Sequence, residues 1–344
     1  MKDFKPRLMA SSLPGMPHRD VEEACHIMTT NFPEATPVPF VTMSRKMFTE
    51  RIPCLTIDRE KRQLVFEVSG REDELVEFYD HYLANDVDYF AISEQLDPCL
   101  YRLAEMYGEK PWPELKYIHV DFPGLFTWGL LIKDENGNPA LYNDTLRDII
   151  IKSLAMKARW RERKVKKLFP NVETIVTAGD AALTVYSSAG GTGTWADVRK
   201  DYNEMLGLIE GIKCIHCCAN FDWSLLMQTD TRVINFDAYQ YGKTMSLYPD
   251  ALKQFLERGG TIAWGIVPTF GSGDIDNETV DGLIERFESS LDAVVEKGID
   301  KQQLLESSWI TPACETGTMS LELAEKVYAY AGEISRLMRG KYFN

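Results

Sequence analysis

The 344-residue sequence contains no apolar run of the roughly eighteen residues needed to span a bilayer. Its N-terminus, MKDFKPRLMASSLPGMP, lacks the apolar core of an export signal. Basic excess is missing too: 38 Lys and Arg stand against 52 Asp and Glu, a formal net charge of −14. Sequence-independent nucleic-acid binding draws on basic surface that displaces counterions, so this balance argues against it. Seven cysteines are too few for a disulfide framework in a chain of this length. Low-complexity tracts, Pro/Ser-rich linkers and internal repeats are absent as well. These absences predict a cytoplasmic globular protein with no membrane and no nucleic-acid partner.

What the sequence does have is a core and a rhythm. Hydrophobic residues make up 44% and charged residues 26%, enough apolar matter to bury a large interior. Short apolar runs alternate with longer helical stretches. The runs RLMAS (7–11), DYFAI (88–92), YIHVD (117–121), TIVTA (174–178), IKCIH (212–216), RVINF (232–236), TIAWG (261–265) and SSWIT (307–311) read as strands. Helices are predicted over 71–86, 145–169, 195–210, 248–259, 278–298 and 320–338, several ending in Gly or Lys/Arg as helix C-termini prefer. Alternating β and α implies a parallel sheet, and eight such units fit an α/β fold of the (β/α)8 TIM-barrel type. The expected organisation is one domain over 1–344, with an irregular or hairpin-like insertion near residues 37–70, where RQLVFEVSG (62–70) lies.

Active sites of such barrels form where strands end and the following loops begin. Ser11 and Ser12 follow the first predicted strand, Glu94 the second, Phe122–Thr127 the third and Asp180 the fourth. His216, Cys217 and Cys218 follow the fifth, Asp237 the sixth, Trp264–Thr269 the seventh and Cys314 the eighth. In IKCIHCCAN (212–220) a strand's period of two puts Cys214, His216 and Cys218 on one face and Cys217 on the other. A His with two Cys is a ligand set for a catalytic zinc that keeps one position open, and Cys314 can converge on His216 and Cys218 from the eighth strand. Such a position can hold a substrate thiol as thiolate near neutral pH. Cys25, Cys54 and Cys99 read as ordinary buried residues, and Cys214 and Cys217 as packing residues.

Several segments together resemble one superfamily, the UROD/MetE-like barrels that include cobalamin-independent methionine synthase and uroporphyrinogen decarboxylase. IHCCANFDWSLL (215–226) is similar to its HxCxNxDW segment, and ASSLPGMPHRDVEEA (10–24) to its N-terminal G-S-x-P…D…EA segment. VDFPGLFTWGLLIKDENGNPALYNDTLRDII (120–150) resembles the GPfT segment and its helix, while AWGIVPT (263–269) and ITPACETG (310–317) resemble the closing strands. The resemblance covers nearly the whole chain as a single catalytic barrel. It implies His216, Cys218 and Cys314 as zinc ligands, with Asp237 at the place of a fourth, glutamate ligand of the synthases. It further implies that Asp180, and more weakly Glu94, bind the amino group of a substrate. Asp180, Glu94 and Asp237 are the catalytic candidates, and Ser11, Ser12 and Trp264, by their places at strand ends, are expected to line the substrate's site with Asp180. The Asp-Glu-Pro segment of the synthases reads GDAAL (179–183) here, which counts against homocysteine itself as acceptor. The decarboxylases' Arg-rich N-terminal motif is not visible, which disfavours porphyrin decarboxylation.

The function implied is a zinc-dependent methyltransferase acting on a small thiol, with a methylated corrinoid, corrinoid protein or methyl-folate as donor. The alternatives are a barrel that binds a corrinoid or other tetrapyrrole without catalysis, a decarboxylase-like relative, and a structural zinc closed by Cys217 or Asp237. Among the remaining motifs, Asp222 and Trp223 are expected to cap and pack a helix, and His119 to be a satisfied core histidine. His18 is expected to be a solvated loop histidine, with a place near the mouth as the alternative. SSAGGTGTW (187–195) reads as a mobile loop closing over that mouth, and RWRERKVKK (159–167) as a solvated helix face.

Overall fold

Strands covered on both faces read as unbroken apolar runs rather than as alternating ones. The computed structural model, which describes residues 4–41, 44–58, 60, 63–110, 112–187, 194–269 and 275–343, builds its main sheet from such runs. Along the chain lie α1 (Val21–Asn31), β1 (Ala35–Pro37), β2 (Leu55–Asp58), β3 (Gln63–Phe66), α2 (Glu72–Leu83), α3 (Pro98–Glu109), β4 (Tyr117–Pro123) and α4 (Leu125–Leu131). Then come β5 (Ile132–Lys133), α5 (Asp144–Leu168), β6 (Glu173–Gly179), α6 (Trp195–Gly207), β7 (Ile212–Cys217), α7 (Trp223–Leu226), β8 (Val233–Phe236) and α8 (Ala238–Tyr241). The chain closes with α9 (Pro249–Glu257), β9 (Thr261–Val267), α10 (Val280–Val295), α11 (Lys301–Glu306), β10 (Ser308–Pro312) and α12 (Leu321–Tyr342).

Seven strands pair in parallel in the order β1-β4-β6-β7-β8-β9-β10, giving an α/β fold on a curled sheet. Residues 8–11 run along the outer edge of β10: Leu8 N–H donates to Ser308 O at 2.7 Å, and Ile310 N–H to Met9 O at 2.9 Å. Ser11 Oγ donates across to Ala35 O of β1 at 2.8 Å. The two edges of the sheet thus approach each other through a side chain rather than a ladder. Arg7 and Leu8 sit at positive φ, 48° and 61°, which breaks the extended run that RLMAS suggested and leaves only a single bridge at Ala10.

DYFAI does not form a strand. Val87–Phe90 is a 3-10 turn, and the place beside β4 belongs to the three-residue β1, Ala-Thr-Pro. A proline is tolerated there because β1 is an edge strand. The expected hairpin is present: β2 and β3 pair antiparallel, and β5 joins β3 to form a separate three-stranded sheet. No helix among the described residues is long and apolar enough to cross a membrane.

The period of two divides the curled sheet into two faces. Ile175, Cys214, Val233, Ala263 and Trp309 pack inside with Phe4, Met9 and Ala35. Val176, Ile215, Cys217, Ile234, Phe236, Trp264 and Ile310 face outward into the larger core shared with the helices. Toward the C-terminal strand ends the inward positions turn polar: Asp121, Thr177, His216, Asn235 and Thr311 are all buried. The sheet therefore carries an apolar plug at one end and chemically capable side chains at the other.

The basic run 159–167 is not a solvated face. Trp160, Arg161 and Glu162 are buried, whereas Arg163 and Lys167 are exposed. Arg161 binds both oxygens of Asp97, Nε to Oδ2 at 2.8 Å and Nη2 to Oδ1 at 3.1 Å, and Nη1 donates to Asp121 O at 3.0 Å. Each partner of the pair is about 1% exposed. Glu162 accepts from Thr174 Oγ1 and from the backbone N–H groups of Glu210 and Gly211, stitching α5 to the β6–β7 connection. One turn earlier, Lys157 is buried with no hydrogen-bond partner for its ammonium, and burial pulls its pKa down to about 8.

Two stability predictions follow from α5. Replacing Asp97 with Ala strands a buried guanidinium and should cost about 3–5 kcal/mol in urea unfolding, with the double change Asp97→Leu and Arg161→Met costing less. Lys157 has a folded-state pKa below its unfolded value near 10.4, so it penalises folding fully below about pH 8 and progressively less above it. Lys157→Met should therefore raise the urea midpoint at pH 7, and the gap to the wild type should shrink as the pH is raised toward 10.

Candidate metal centre

A ring nitrogen of His216, Cys218 Sγ and Cys314 Sγ lie within 4.8 Å of one another at the C-terminal ends of β7 and β10. The parity argument explains how. His216 is an inward position of β7, and the register sets Asn235 of β8 directly beside it. His216 Nδ1 is hydrogen-bonded to Asn235 Oδ1, and Asn235 Nδ2 donates to Thr311 Oγ1 of β10 at 2.8 Å. An amide oxygen can only accept, so Nδ1 carries the proton and Nε2 is the free nitrogen. Nε2 is buried and has no hydrogen-bond partner.

Cys314 reaches the same point by a different device. The pairing of β10 with β9 shifts between Thr311 and Pro312, and Ala313 N–H then donates to Val267 O at 2.8 Å. This fold-over passes across Gly265, where a Cβ would lie 2.5 Å from Phe236 O and 2.7 Å from Ala313 Cα. Only glycine leaves room for the backbone that carries Cys314. The Cys314 thiol and the His216 ring together hold Cys218 far below the usual thiol range, and contact with Cys218 drives Cys314 up. Burial works against charge on His216, but Cys218 and Asn235 outweigh it and raise the ring's pKa.

A cavity of about 240 Å³ opens against this cluster. Its walls include His216, Cys314, Phe40, Phe48, Trp128 and two carboxylate residues, Asp121 and Glu315. Asp121 is 6% exposed. Strand β4 carries His119 and Asp121 on the same inward face, and His119 bonds Ser11 Oγ at 3.0 Å and Thr177 Oγ1 at 2.7 Å. His119 is thus the satisfied core histidine that its mid-strand place suggested.

The other candidates are placed as follows. Asp237 is buried next to the cluster, where it caps α8 through Gln240 N–H at 2.9 Å and accepts from Gln240 Nε2 at 2.8 Å. Burial pushes its carboxyl up to about 6, against those hydrogen bonds, with the Cys218 charge adding to the rise. It is not part of the three-atom cluster. Asp180 is fully buried and spends both oxygens on α4 and α6: it accepts from Phe126 N–H at 2.9 Å, from Thr127 N–H and Oγ1 at 2.8 Å, and from Tyr202 Oη. Burial raises its pKa despite these bonds. Gly124 accommodates it, since a Cβ there would meet the Asp180 side chain at 2.2 Å. The carboxylate holds α4 in place rather than facing the cavity.

Glu94 stands exposed in a 3-10 turn, Glu94–Leu96, and is not among the residues that line the cavity. Trp264 points outward, with ring centroids 5.5 Å from Phe236 and 5.6 Å from Phe287, and its Nε1 donates to Ser308 Oγ at 2.9 Å. The inward positions of β9 are Ala263 and Gly265, so parity excludes Trp264 from the mouth. Ser11 and Ser12 are buried, with Ser12 Oγ donating to Leu13 O at 3.0 Å; neither lines the cavity. His18 is not solvated: it is fully buried, with Nε2 3.4 Å from Glu325 Oε1. Asp222 caps α7 through Ser224 N–H at 3.0 Å, and Trp223 is buried, as expected. Most of SSAGGTGTW, residues 188–193, lies outside the described residues. Asn235, Thr311, Asp121 and Glu315 were not singled out from sequence, although the period of two in RVINF and YIHVD marks Asn235 and Asp121 as inward.

Asn235 orients His216 without touching the sulfurs, so Asn235→Leu should weaken zinc binding about 10- to 100-fold, measured by chelator competition, while leaving the fold intact by circular dichroism. Gly265→Ala should weaken it as well, through displacement of Cys314.

No family model matches the chain, and no curated protein matches it. Among solved structures it is similar to a B12-independent methionine synthase from Shewanella sp. W3-18-1 in complex with selenomethionine, at 11% identity and TM-score 0.59, over 97% of this chain and 98% of that one. Matches to a GH113 β-mannanase from Alicyclobacillus acidocaldarius (12% identity, TM-score 0.37, 71% of this chain and 77% of that one) and to a GH113 β-1,4-mannanase (10%, 0.44, 97% and 98%) are looser. The likeness to the synthase is one of fold: a barrel-type α/β architecture.

Proposed function

We propose that this chain is a zinc-dependent methyltransferase whose acceptor is a small thiol, built on a (β/α)8 barrel in which residues 8–11 serve as the eighth stave. The observation that carries the reading is the convergence of His216, Cys218 and Cys314 on one point beside a cavity. The residues fit a zinc ion on their own chemistry. The free nitrogen is buried and unsatisfied, its tautomer is fixed by Asn235, and two sulfurs stand opposite. Three protein ligands of this kind leave a position for a substrate atom, with Asp237 close by as a fourth group. Zinc bound there supplies a Lewis acid that favours the thiolate form of an acceptor near neutral pH.

The chain's own residues do the rest. Asn235 and Thr311 hold the imidazole so that no reorientation is needed on metal binding. The fold-over across Gly265 fixes Cys314. The aromatic side of the cavity shields the acceptor sulfur from water and orients it, which removes part of the entropy cost of a two-substrate transfer. In the transfer the sulfur–methyl bond forms as the bond from methyl carbon to donor breaks, the electron pair leaving with the donor; the thiol proton goes to solvent. A cavity of about 240 Å³ takes the acceptor but not a corrin or folate. The donor, a methylated corrinoid or methyl-folate, would present its methyl group from outside.

The test is metal content and transfer measured together. Protein purified with reductant and without chelator should carry one zinc per chain, lost in His216→Ala and Cys314→Ser, and should methylate a member of a thiol panel from methylcobalamin or methyltetrahydrofolate. Zinc-free wild type, or full zinc in both variants, would overturn the metal centre. Bound zinc with no transfer from either donor would overturn the enzymatic reading in favour of a binding or structural role.

A further inference from the structure

The acids and the hydroxyl in the cavity wall are turned to the protein rather than left for a ligand. Asp121 Oδ1 lies 3.1 Å from His119 Nε2, beside the contacts of that ring with Ser11 and Thr177. The Glu315 side chain packs onto the backbone of Gly15, where a Cβ would lie 2.3 Å from its Cδ and 2.4 Å from its Oε2, and Glu315 has an interaction within the chain. Thr127 Oγ1 donates to Asp180 Oδ1 at 2.8 Å and accepts from Ala182 N–H at 3.2 Å. His216 and Cys314, the other polar members of the wall, belong to the three-atom cluster.

A charged ligand therefore lacks a free counter-charge among these residues. No lysine or arginine is among the described residues that line the cavity. The guanidinium of Arg161 spends its fork on Asp97 and donates to Asp121 O, and its Cζ lies 5.0 Å from the centre of the Phe40 ring, so that ring already has a cation over it. Trp128 Nε1 is buried without a hydrogen-bond partner, but a neutral N–H offers nothing to an ammonium and does not balance a carboxylate. Burying an unpaired charge is costly. The rest of the wall is carbon: Leu13, Phe40, Phe48, Phe122, Pro123 and Trp128. Phe40 and Phe48 meet edge-on at 6.0 Å between centroids, and Phe48 and Trp128 at 6.5 Å, so the rings form one continuous apolar side. Such a side gains by taking apolar surface out of water.

We propose that this cavity selects a small uncharged, apolar group, and that the acceptor is a thiol carrying an apolar ring or short carbon chain with neither an amino nor a carboxylate group. The thiol part rests on the methyltransferase reading; the preference for an uncharged group rests on the cavity alone. The rings of Phe48 and Trp128 pack the carbon end, and the sulfur is left facing His216 and Cys314. A carboxylate on the acceptor would meet Asp121 and Glu315 with no basic partner among the described lining residues, and an ammonium would have to draw a carboxylate away from its present contacts.

The experiment is calorimetric titration of the full chain, as purified, with three probes that share one ring and differ in charge: benzyl alcohol, benzylamine and benzoate. Benzyl alcohol should bind at least about tenfold more tightly than either charged probe. Phe48→Ala should weaken its binding about tenfold without changing zinc content. Should that variant fail to fold, Ala181→Lys, at an exposed position of the wall, should tighten benzoate binding by bringing in a positive charge. Equal or tighter binding of benzylamine or benzoate to the wild type, no binding of benzyl alcohol, or no change in the folded variant overturns the proposal. The probes have no thiol, so this preference survives even if the methyltransferase reading fails. Conversely, methylation of 2-aminoethanethiol or 3-mercaptopropionate in preference to phenylmethanethiol would uphold that reading and sink this one.

Discussion

The guanidinium of Arg161 is the constraint on which the candidate site depends most. It is buried in the middle of α5 and held in a two-pronged bond to Asp97, the residue that starts α3. Its third contact fixes the backbone of Asp121 near the end of β4, and its Cζ lies 5.0 Å from the centre of the Phe40 ring. Asp121 and Phe40 are opposite in chemistry but adjacent in the cavity wall. One desolvated ion pair therefore sets the spacing of a helix, a strand end and two cavity residues at once. Such a pair adds little net stability over an apolar replacement, but an ill-fitting geometry is heavily penalised, so it specifies one arrangement.

A second polar thread, Thr311–Asn235–His216, performs the same service for the cluster of His216, Cys218 and Cys314. It runs across the sheet rather than along the chain, linking β10 to β8 to β7. Each member is inward-facing by the strand period, and the parallel register brings them level. The same parity sends Cys217 and Trp264 outward, where they pack against helices. The chemistry at this end of the sheet is thus decided by which alternate residues are polar, and its precision by one glycine, Gly265, that lets the last loop cross β9.

Much of this was legible in the sequence and some was not, for physical reasons. The runs at 117–121, 174–178, 212–216, 232–236, 261–265 and 307–311 are strands because β-branched residues covered on both faces leave a strong signal. Ala35–Pro37 left none: three residues ending in proline look like a loop, and only pairing with β4 makes them a strand. DYFAI had the composition of a strand but no sheet edge to join. The metal-ligand candidates were visible because their residue types are rare and follow strand ends. Asp180 and Trp264 were misread because position after or within a strand does not reveal direction. Arg161 was misread because its partner Asp97 lies 64 residues away and no local pattern announces a buried ion pair.

The fate of Asp180 also bears on what the cavity recognises. In the resemblance that the sequence suggested, an aspartate at this place binds a substrate amine. Here its two oxygens receive four hydrogen bonds, three from the start of α4 and one from Tyr202, and the neighbouring Glu and Pro of that segment are replaced by Ala181 and Ala182. A carboxylate so fully used has little left to offer a ligand. Asp121 differs: it is buried at the cavity wall, with its Oδ1 3.1 Å from His119 Nε2. The amine-binding place that the resemblance implied for Asp180 is thus taken up by contacts within the protein.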